Sequence, residues 1–262
     1  MNLKDYLNKA KKEKRAIGQF NFSTLDQLRG ILKAAQAMKK PVILGTSEGE
    51  LNYLGLEEVV ALTEISKIKY NVFAFLNLDH GKDLDLIKRA VDYGFSAVHF
   101  DGSDLALEKN IEYAKKIVEY AHRKNVLVEG ELDAIGEGRI TSLEEAERFA
   151  KETRVDSLAI AIGNRHGYYK NVKLNFGRIE EINKRLNVFL VLHGGSGIPD
   201  KDIKRAITLG IVKINVNTEL RMAWKQSLIK ILKSREIKPY NILPKIEWAV
   251  QKKVEQKLKL FN

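Results

Sequence analysis

Eight short apolar runs, each followed by a longer amphipathic stretch, recur along almost the whole 262-residue chain. The runs fall at 17–22, 42–45, 72–78, 97–100, 126–131, 157–162, 188–192 and 212–216. They are rich in Val, Ile and Phe and nearly continuous in hydrophobicity, which predicts strands covered on both faces. Between and after them, 25–38, 56–68, 84–93, 105–123, 143–151, 176–185, 200–209 and 219–233 carry apolar residues at helical spacing. Helix starts are marked by Thr24 before Leu25, by Ser142 with Glu145 three residues on, and by Pro199 followed by Asp200. Eight strand–helix units with no Pro- or Gly-rich linker predict one α/β domain over 1–262, a closed (β/α)8 barrel of the TIM type. A C-terminal helical extension is expected over about 239–262, its pattern clearest from 243 to 260.

The hydrophobic share of 44% is enough for a core of that size and argues against disorder. No apolar run approaches the roughly 18 residues a membrane span needs. Charged residues interrupt positions 1–15, where a signal peptide would need an apolar stretch. A soluble, cytoplasmic protein without a membrane partner is expected. The net charge of +11 raises the question of nucleic acid. Lys and Arg, however, are spread along helical stretches such as 111–124 and 251–259 and mixed with Glu and Asp. They read as a solvated surface whose field could help recruit a small anion, and no nucleic-acid partner is expected.

In a barrel the C-terminal ends of the strands converge on one pocket. Asp79-His80-Gly81 follows the third run, Asp101-Gly102-Ser103 the fourth, and Glu131 ends the fifth. His166-Gly167 follows the sixth, His193-Gly194-Gly195-Ser196-Gly197 the seventh, and Asn215-Val216-Asn217-Thr218 closes the eighth. Groups of this kind are costly to bury unpaired, so their placement at six successive strand ends points to a site. With no cysteine in the chain, a metal must rely on His, Asp or Glu. Of the five histidines, three lie at these ends. One histidine alone is more often a capping or hydrogen-bonded group. Together, His80, His166 and His193 are candidate zinc ligands that leave a fourth position open for substrate. His99 reads as structural and His122 as solvated. The glycine-rich stretch 193–197 and the stretch 215–218 each precede a helix start, where backbone amides can cradle phosphate; a simple turn is the plainer use of such glycines.

With these residues in place, the chain resembles the class II, metal-dependent fructose- or tagatose-bisphosphate aldolases. The resemblance rests on QFNF at 19–22, PVIL at 41–44 with SEG at 47–49, LDHG at 78–81, FDGS at 100–103 and EGEL at 129–132. It continues through AIAIG at 159–163 with His166-Gly167, LHGGSGIP at 192–199, KINVNT at 213–218 and KLKLF at 257–261. It implies a lyase of carbohydrate metabolism and glycolysis that cleaves fructose 1,6-bisphosphate into dihydroxyacetone phosphate and glyceraldehyde 3-phosphate. By the same resemblance, His80, His166 and His193 hold a catalytic Zn2+. Asp101 and Glu131 match carboxylates that bind a second divalent metal or support the first, and a monovalent cation is a further expectation. Gly167, Gly194, Gly195, Ser196, Asn215, Asn217 and Thr218 match the site for the dihydroxyacetone phosphate half, and Ser47 a contact to the other phosphate. Asp79 matches the residue that exchanges a proton with the hydroxyl at the cleaved bond; its plainer role would be to orient His80. A homo-oligomer, dimer or tetramer, is expected.

Two features depart from the family pattern. The loop after the fifth strand, 133–139, is shorter than in relatives, where it carries the glutamate that moves a proton on dihydroxyacetone phosphate; Glu137 is the available candidate. The strand-eight motif has Asn217 where relatives have an aspartate. A tagatose bisphosphate or another phosphorylated ketose is the alternative substrate, and a non-catalytic phosphosugar-binding barrel the alternative from another class.

Overall fold

The computed structural model describes every residue except Glu137, Lys170 and Asn171. Helix α1 (Leu3–Glu13) leads into strand β1 (Ile17–Asn21) and helix α2 (Leu25–Met38). Then come β2 (Val42–Ser47), α3 (Glu48–Leu54), α4 (Leu56–Tyr70), β3 (Ala74–Gly81), α5 (Leu84–Asp92), β4 (Ala97–Asp101) and α6 (Leu107–His122). The second half runs β5 (Leu127–Glu131), α7 (Leu143–Thr153), β6 (Ser157–Ala159), α8 (Phe176–Arg185), β7 (Phe189–Leu192), α9 (Asp200–Thr208), β8 (Ile211–Val216), α10 (Thr218–Ile231) and α11 (Pro239–Leu260). The strands are parallel, pair in sequence order and close through β8 on β1, giving the expected eight-stranded barrel. The long helix α11 is the expected extension. It lies close on α2, where a Cβ on Gly30 would stand 2.7 Å from the Glu247 carbonyl oxygen.

Two helices escape the strand–helix count. α1 looks too charged for a buried element, yet Asn2 and Asp5 cap it reciprocally and Leu3, Leu7 and Ala10 form one buried stripe. That stripe packs on Ile17, Ile43, Phe75, Phe189 and Val212, closing the N-terminal mouth of the barrel with an apolar plug. α3 is short and starts at a second reciprocal cap, Ser47 with Glu50. The sixth strand, expected over 157–162, ends at Ala159. Ile162 instead bridges Ile140 antiparallel, and Thr141 and Ala161 exchange hydrogen bonds, so the loop after β5 draws this segment out of the barrel ladder.

The interior departs from the expected continuous apolar strands. Gln19 and Asn21 on β1, Asn77 and Asp79 on β3, Glu129 and Glu131 on β5, and Lys213 and Asn215 on β8 are all buried. They bond between strands that are not neighbours in the sheet. Asn77 Nδ2 donates to Gln19 at 2.8 Å, Asn21 Nδ2 to Asp79 at 2.9 Å, and Lys213 Nζ to Glu129 at 2.5 Å. Such contacts can only cross the lumen. The outward residues of each strand, by contrast, meet the apolar faces of the helices. The upper lumen is therefore a hydrogen-bonded polar network leading to the C-terminal mouth.

Candidate metal centre

His80 is the penultimate residue of β3, His166 lies in the loop between β6 and α8, and His193 directly follows β7. The ring of His80 lies 4.7 Å from that of His193 and 4.9 Å from that of His166, and His166 and His193 are 6.0 Å apart. Close approach of two loops makes this possible: Gly194 has φ +61°, and a Cβ there would stand 2.1 Å from the Arg165 carbonyl oxygen. Any side chain at 194 would push His166 away from His193. His193 is fully buried, Asp79 nearly so, and His166 faces solvent.

Carboxylates fix the outward nitrogens of two of these rings. His80 Nδ1 is 2.7 Å from Asp101 Oδ2, whose other oxygen accepts the Ser103 hydroxyl at 2.6 Å. His193 Nε2 is 2.7 Å from Glu129 Oε1, and Glu129 is in turn neutralised by Lys213. This leaves His80 Nε2 and His193 Nδ1 facing each other at 3.0 Å. Nitrogens on one tetrahedral zinc, each 2.0–2.1 Å from the ion, would stand about 3.4 Å apart, so the observed spacing is close to that of neighbouring ligands. Glu131 Oε2 is buried without a hydrogen-bond partner, 3.9 Å from both His80 Nδ1 and His193 Nδ1. An orphaned carboxylate oxygen among imidazoles, with an open side at His166, is the donor chemistry of a divalent cation site, and the residues present fit one.

Electrostatics agree with that fit. Burial alone would lower the His80 imidazolium, but Asp79, the Asp101 hydrogen bond and Glu131 outweigh it and push His80 up to about 9. Burial and the neighbouring histidines lower His166 to about 4, and burial also lowers His193. Of the three imidazoles, His80 is therefore the one that most readily takes a second proton. Burial and then the charges of Asp101 and Glu129 raise the Glu131 carboxyl well above its ordinary value. Since His80 stays doubly protonated below about pH 9 and the Glu131 carboxyl beside it is also raised, metal uptake at about pH 7.5 is expected to release at least about one proton per ion, and affinity should rise with pH up to that value. Calorimetry in two buffers of different ionisation enthalpy reads that proton number; uptake without proton release would remove His80 from the ligand set.

Asp79 lies beside the histidines, one residue before His80. Asn21 Nδ2 donates to its Oδ2 at 2.9 Å and Asn215 Nδ2 to its Oδ1 at 3.0 Å. Burial would raise its pKa, but the charges of His80, His193 and Lys213 prevail and hold it below the usual carboxylate range. Ser47 pairs in register with Asp79 and its Oγ accepts the Glu50 amide at 3.4 Å. Asn217 Nδ2 donates to Glu50 at 3.3 Å, as does Arg221 at 3.1 Å. In the glycine-rich loop the Gly195 amide donates to the Asn215 carbonyl, and Ser196 Oγ accepts the Glu219 amide near the start of α10. The Gly197 amide donates to Glu219 Oε1 at 3.1 Å, and Lys257 of α11 pairs with the same carboxylate at 2.6 Å. Gly167 and Thr218 lie at the same mouth, in the loop carrying His166 and at the start of α10. Glu137 lies outside the described residues.

Reading strand ends alone passes over Asn21, Glu50, Glu129, Lys213 and Glu219. The sequence carries a signal for most of them. Polar residues two apart in an apolar run, as at 19 and 21, 77 and 79, 129 and 131, or 213 and 215, share one face of a strand. His99, expected to be structural, joins the cluster, its ring 4.8 Å from that of His80. His122 is exposed, as expected, and bonds Asp156 at 2.8 Å.

Comparison with known proteins places these residues in a wider setting. Residues 1–262 match the family described as Fructose-bisphosphate aldolase class-II. The chain is 42% identical to the 6-phospho-5-dehydro-2-deoxy-D-gluconate aldolase of Shouchella clausii, covering 97% of this chain and 91% of that protein. It is 41% identical to the fructose-bisphosphate aldolase of Geobacillus stearothermophilus, covering 88% of this chain and 85% of that one. Among solved structures, the YdjI aldolase from Escherichia coli K12 superposes with a TM-score of 0.91 at 32% identity, covering 100% of this chain and 96% of that one.

Proposed function

Because this chain belongs to the class II fructose-bisphosphate aldolase family, we propose that it reversibly cleaves fructose 1,6-bisphosphate into dihydroxyacetone phosphate and glyceraldehyde 3-phosphate, using Zn2+ held by His80, His166 and His193. It is a lyase, an aldolase acting on phosphosugars, in a metal-dependent family. Among the described residues, no helix is long and apolar enough to cross a membrane. The observation that carries the reading is the convergence of three imidazoles beside a buried, ionised Asp79.

Bound there, the ion would supply Lewis-acid stabilisation of the negative charge that develops beside the ketose carbonyl. The remaining work falls to the chain. Each oxygen of Asp79 spends one lone pair on an asparagine amide and keeps another for the substrate. Asp79 takes the proton of the hydroxyl at the bond to be cleaved and returns it to the aldehyde oxygen in condensation. Gly167, Gly194, Ser196, Asn217 and Thr218 receive the phosphate of the dihydroxyacetone phosphate half at loop and helix starts, with Gly195 and Asn215 beside them shaping the mouth through their mutual backbone bond. Ser47, next to Asp79 in register, meets the other phosphate. Asp101 and Glu131 support His80 or hold a further cation. Glu137 remains the candidate for moving the proton on dihydroxyacetone phosphate.

A second reading has a specific support, since a relative at 42% identity is named for 6-phospho-5-dehydro-2-deoxy-D-gluconate, which carries a carboxylate where a bisphosphate has its second phosphate. A coupled assay with that compound, fructose 1,6-bisphosphate and tagatose 1,6-bisphosphate, with and without chelator, separates the cases. Fructose 1,6-bisphosphate is expected to give the highest kcat/KM, by at least about tenfold, a difference of about 1.4 kcal/mol. A preference for either other compound would replace the substrate. No turnover of any of the three by the metal-loaded protein would sink the proposal.

A further inference from the structure

His99 takes part in none of these steps, yet it is fully buried inside the cluster. Its Nδ1 accepts the backbone N–H of His80 at 3.1 Å. A neutral imidazole that accepts at one nitrogen carries its hydrogen on the other, so Nε2 is a donor. This arrangement excludes His99 as a metal ligand, although one of its nitrogens lies within 4.8 Å of ligand atoms of Asp79, His80 and His193. One lone pair is already used and the other nitrogen bears hydrogen. The Nε2–H faces Glu131 Oε2 at 3.5 Å, and neither atom has a hydrogen-bond partner among the described residues.

The bond to His80 falls at an unusual place in the backbone. His80 has φ +52°, in the left-handed region that a side-chain-bearing residue seldom adopts, and the β3–β4 register shifts between Leu78 and Gly81. At such an irregularity the strand ladder no longer dictates where the main chain points. The His80 amide finds its acceptor in a side chain of the neighbouring strand rather than in that strand's backbone. The peptide so held joins Asp79 to His80, the proton carrier to a ligand.

We propose that His99 is a positioning residue. Through Nδ1 it holds the irregular main chain at His80 so that the imidazole faces His193, while its Nε2–H stands beside the Glu131 carboxyl that borders the cation site. The proposal rests on the reading of His80 as a ligand.

Three variants separate the two ends of the ring. His99→Leu has neither group, His99→Asn restores an acceptor near Nδ1, and His99→Gln places an amide only near Nε2. The readouts are the Co2+ dissociation constant, by competition with a chromophoric chelator, and the visible spectrum of the Co2+ protein. His99→Leu is expected to weaken Co2+ binding about 10–100-fold and to alter the spectrum. His99→Asn is expected to recover most of both, and His99→Gln less. Wild-type affinity and spectrum in His99→Leu would overturn the proposal. If that variant does not fold, as judged by circular dichroism, His99→Gln matching or exceeding His99→Asn would overturn it instead. Wild-type Co2+ affinity in His80→Ala would show that the ligand reading itself had failed.

Discussion

His193→Ala is expected to abolish cleavage and metal binding together. The side chain is fully buried, its Nε2 is held by Glu129, and its Nδ1 points at His80 Nε2. Removing it takes away one of the three imidazoles and the partner that aligns His80. Loss of the ion would cost several kcal/mol of charge stabilisation in the transition state, so activity should fall by at least about 10³-fold. The fold should survive, because Glu129 keeps its ion pair with Lys213 at 2.5 Å. Metal analysis after dialysis and a coupled cleavage assay on the same sample check this. A variant that keeps full metal content but loses activity would move His193 from ligand to catalytic donor.

Asp79→Ala is expected to separate chemistry from metal binding. Proton transfer by a positioned group is worth about 10²–10⁴-fold, and kcat should drop by that range. Asp79 is the strongest of the charges that raise the His80 pKa. Its removal therefore makes His80 easier to deprotonate, so metal uptake should release fewer protons, while the ion, still held by three imidazoles, should be retained. A purely orienting Asp79 would behave in the opposite way, with metal affinity falling and kcat restored by excess metal. Because Asp79 is held below the usual carboxylate range, it is ionised throughout the neutral region. The acid limb of the wild-type pH profile should accordingly come from another group and keep its position when the metal is saturating.

Much of this site is legible in the order of the residues alone. His80, His166 and His193 stand out because a barrel with strands in sequence order sends every strand's C-terminal end to one mouth. The residues that make those histidines usable are harder to see. Glu129 and Lys213 lie 84 residues apart, and nothing local marks them as partners. Lys257 steadies the glycine-rich loop from α11 through Glu219, a link that depends on where the last helix lands. α1 hides behind its charges, since its three buried residues matter only once a barrel mouth exists for them to fill.

Periodicity alone determined the strand–helix alternation, the closed barrel and the end at which chemistry is sited. These follow from local rules, the short continuous apolar run of a strand covered on both faces and the 3.6-residue period of a helix. Only the tertiary structure decided which polar side chains meet across the lumen. Closure of β8 on β1 lets Asp79 of β3 find Asn215 of β8, and the curvature of the barrel turns His193, after β7, toward Glu129 of β5. A buried charge or imidazole takes its state from the groups around it, and that company exists only after the sheet has closed.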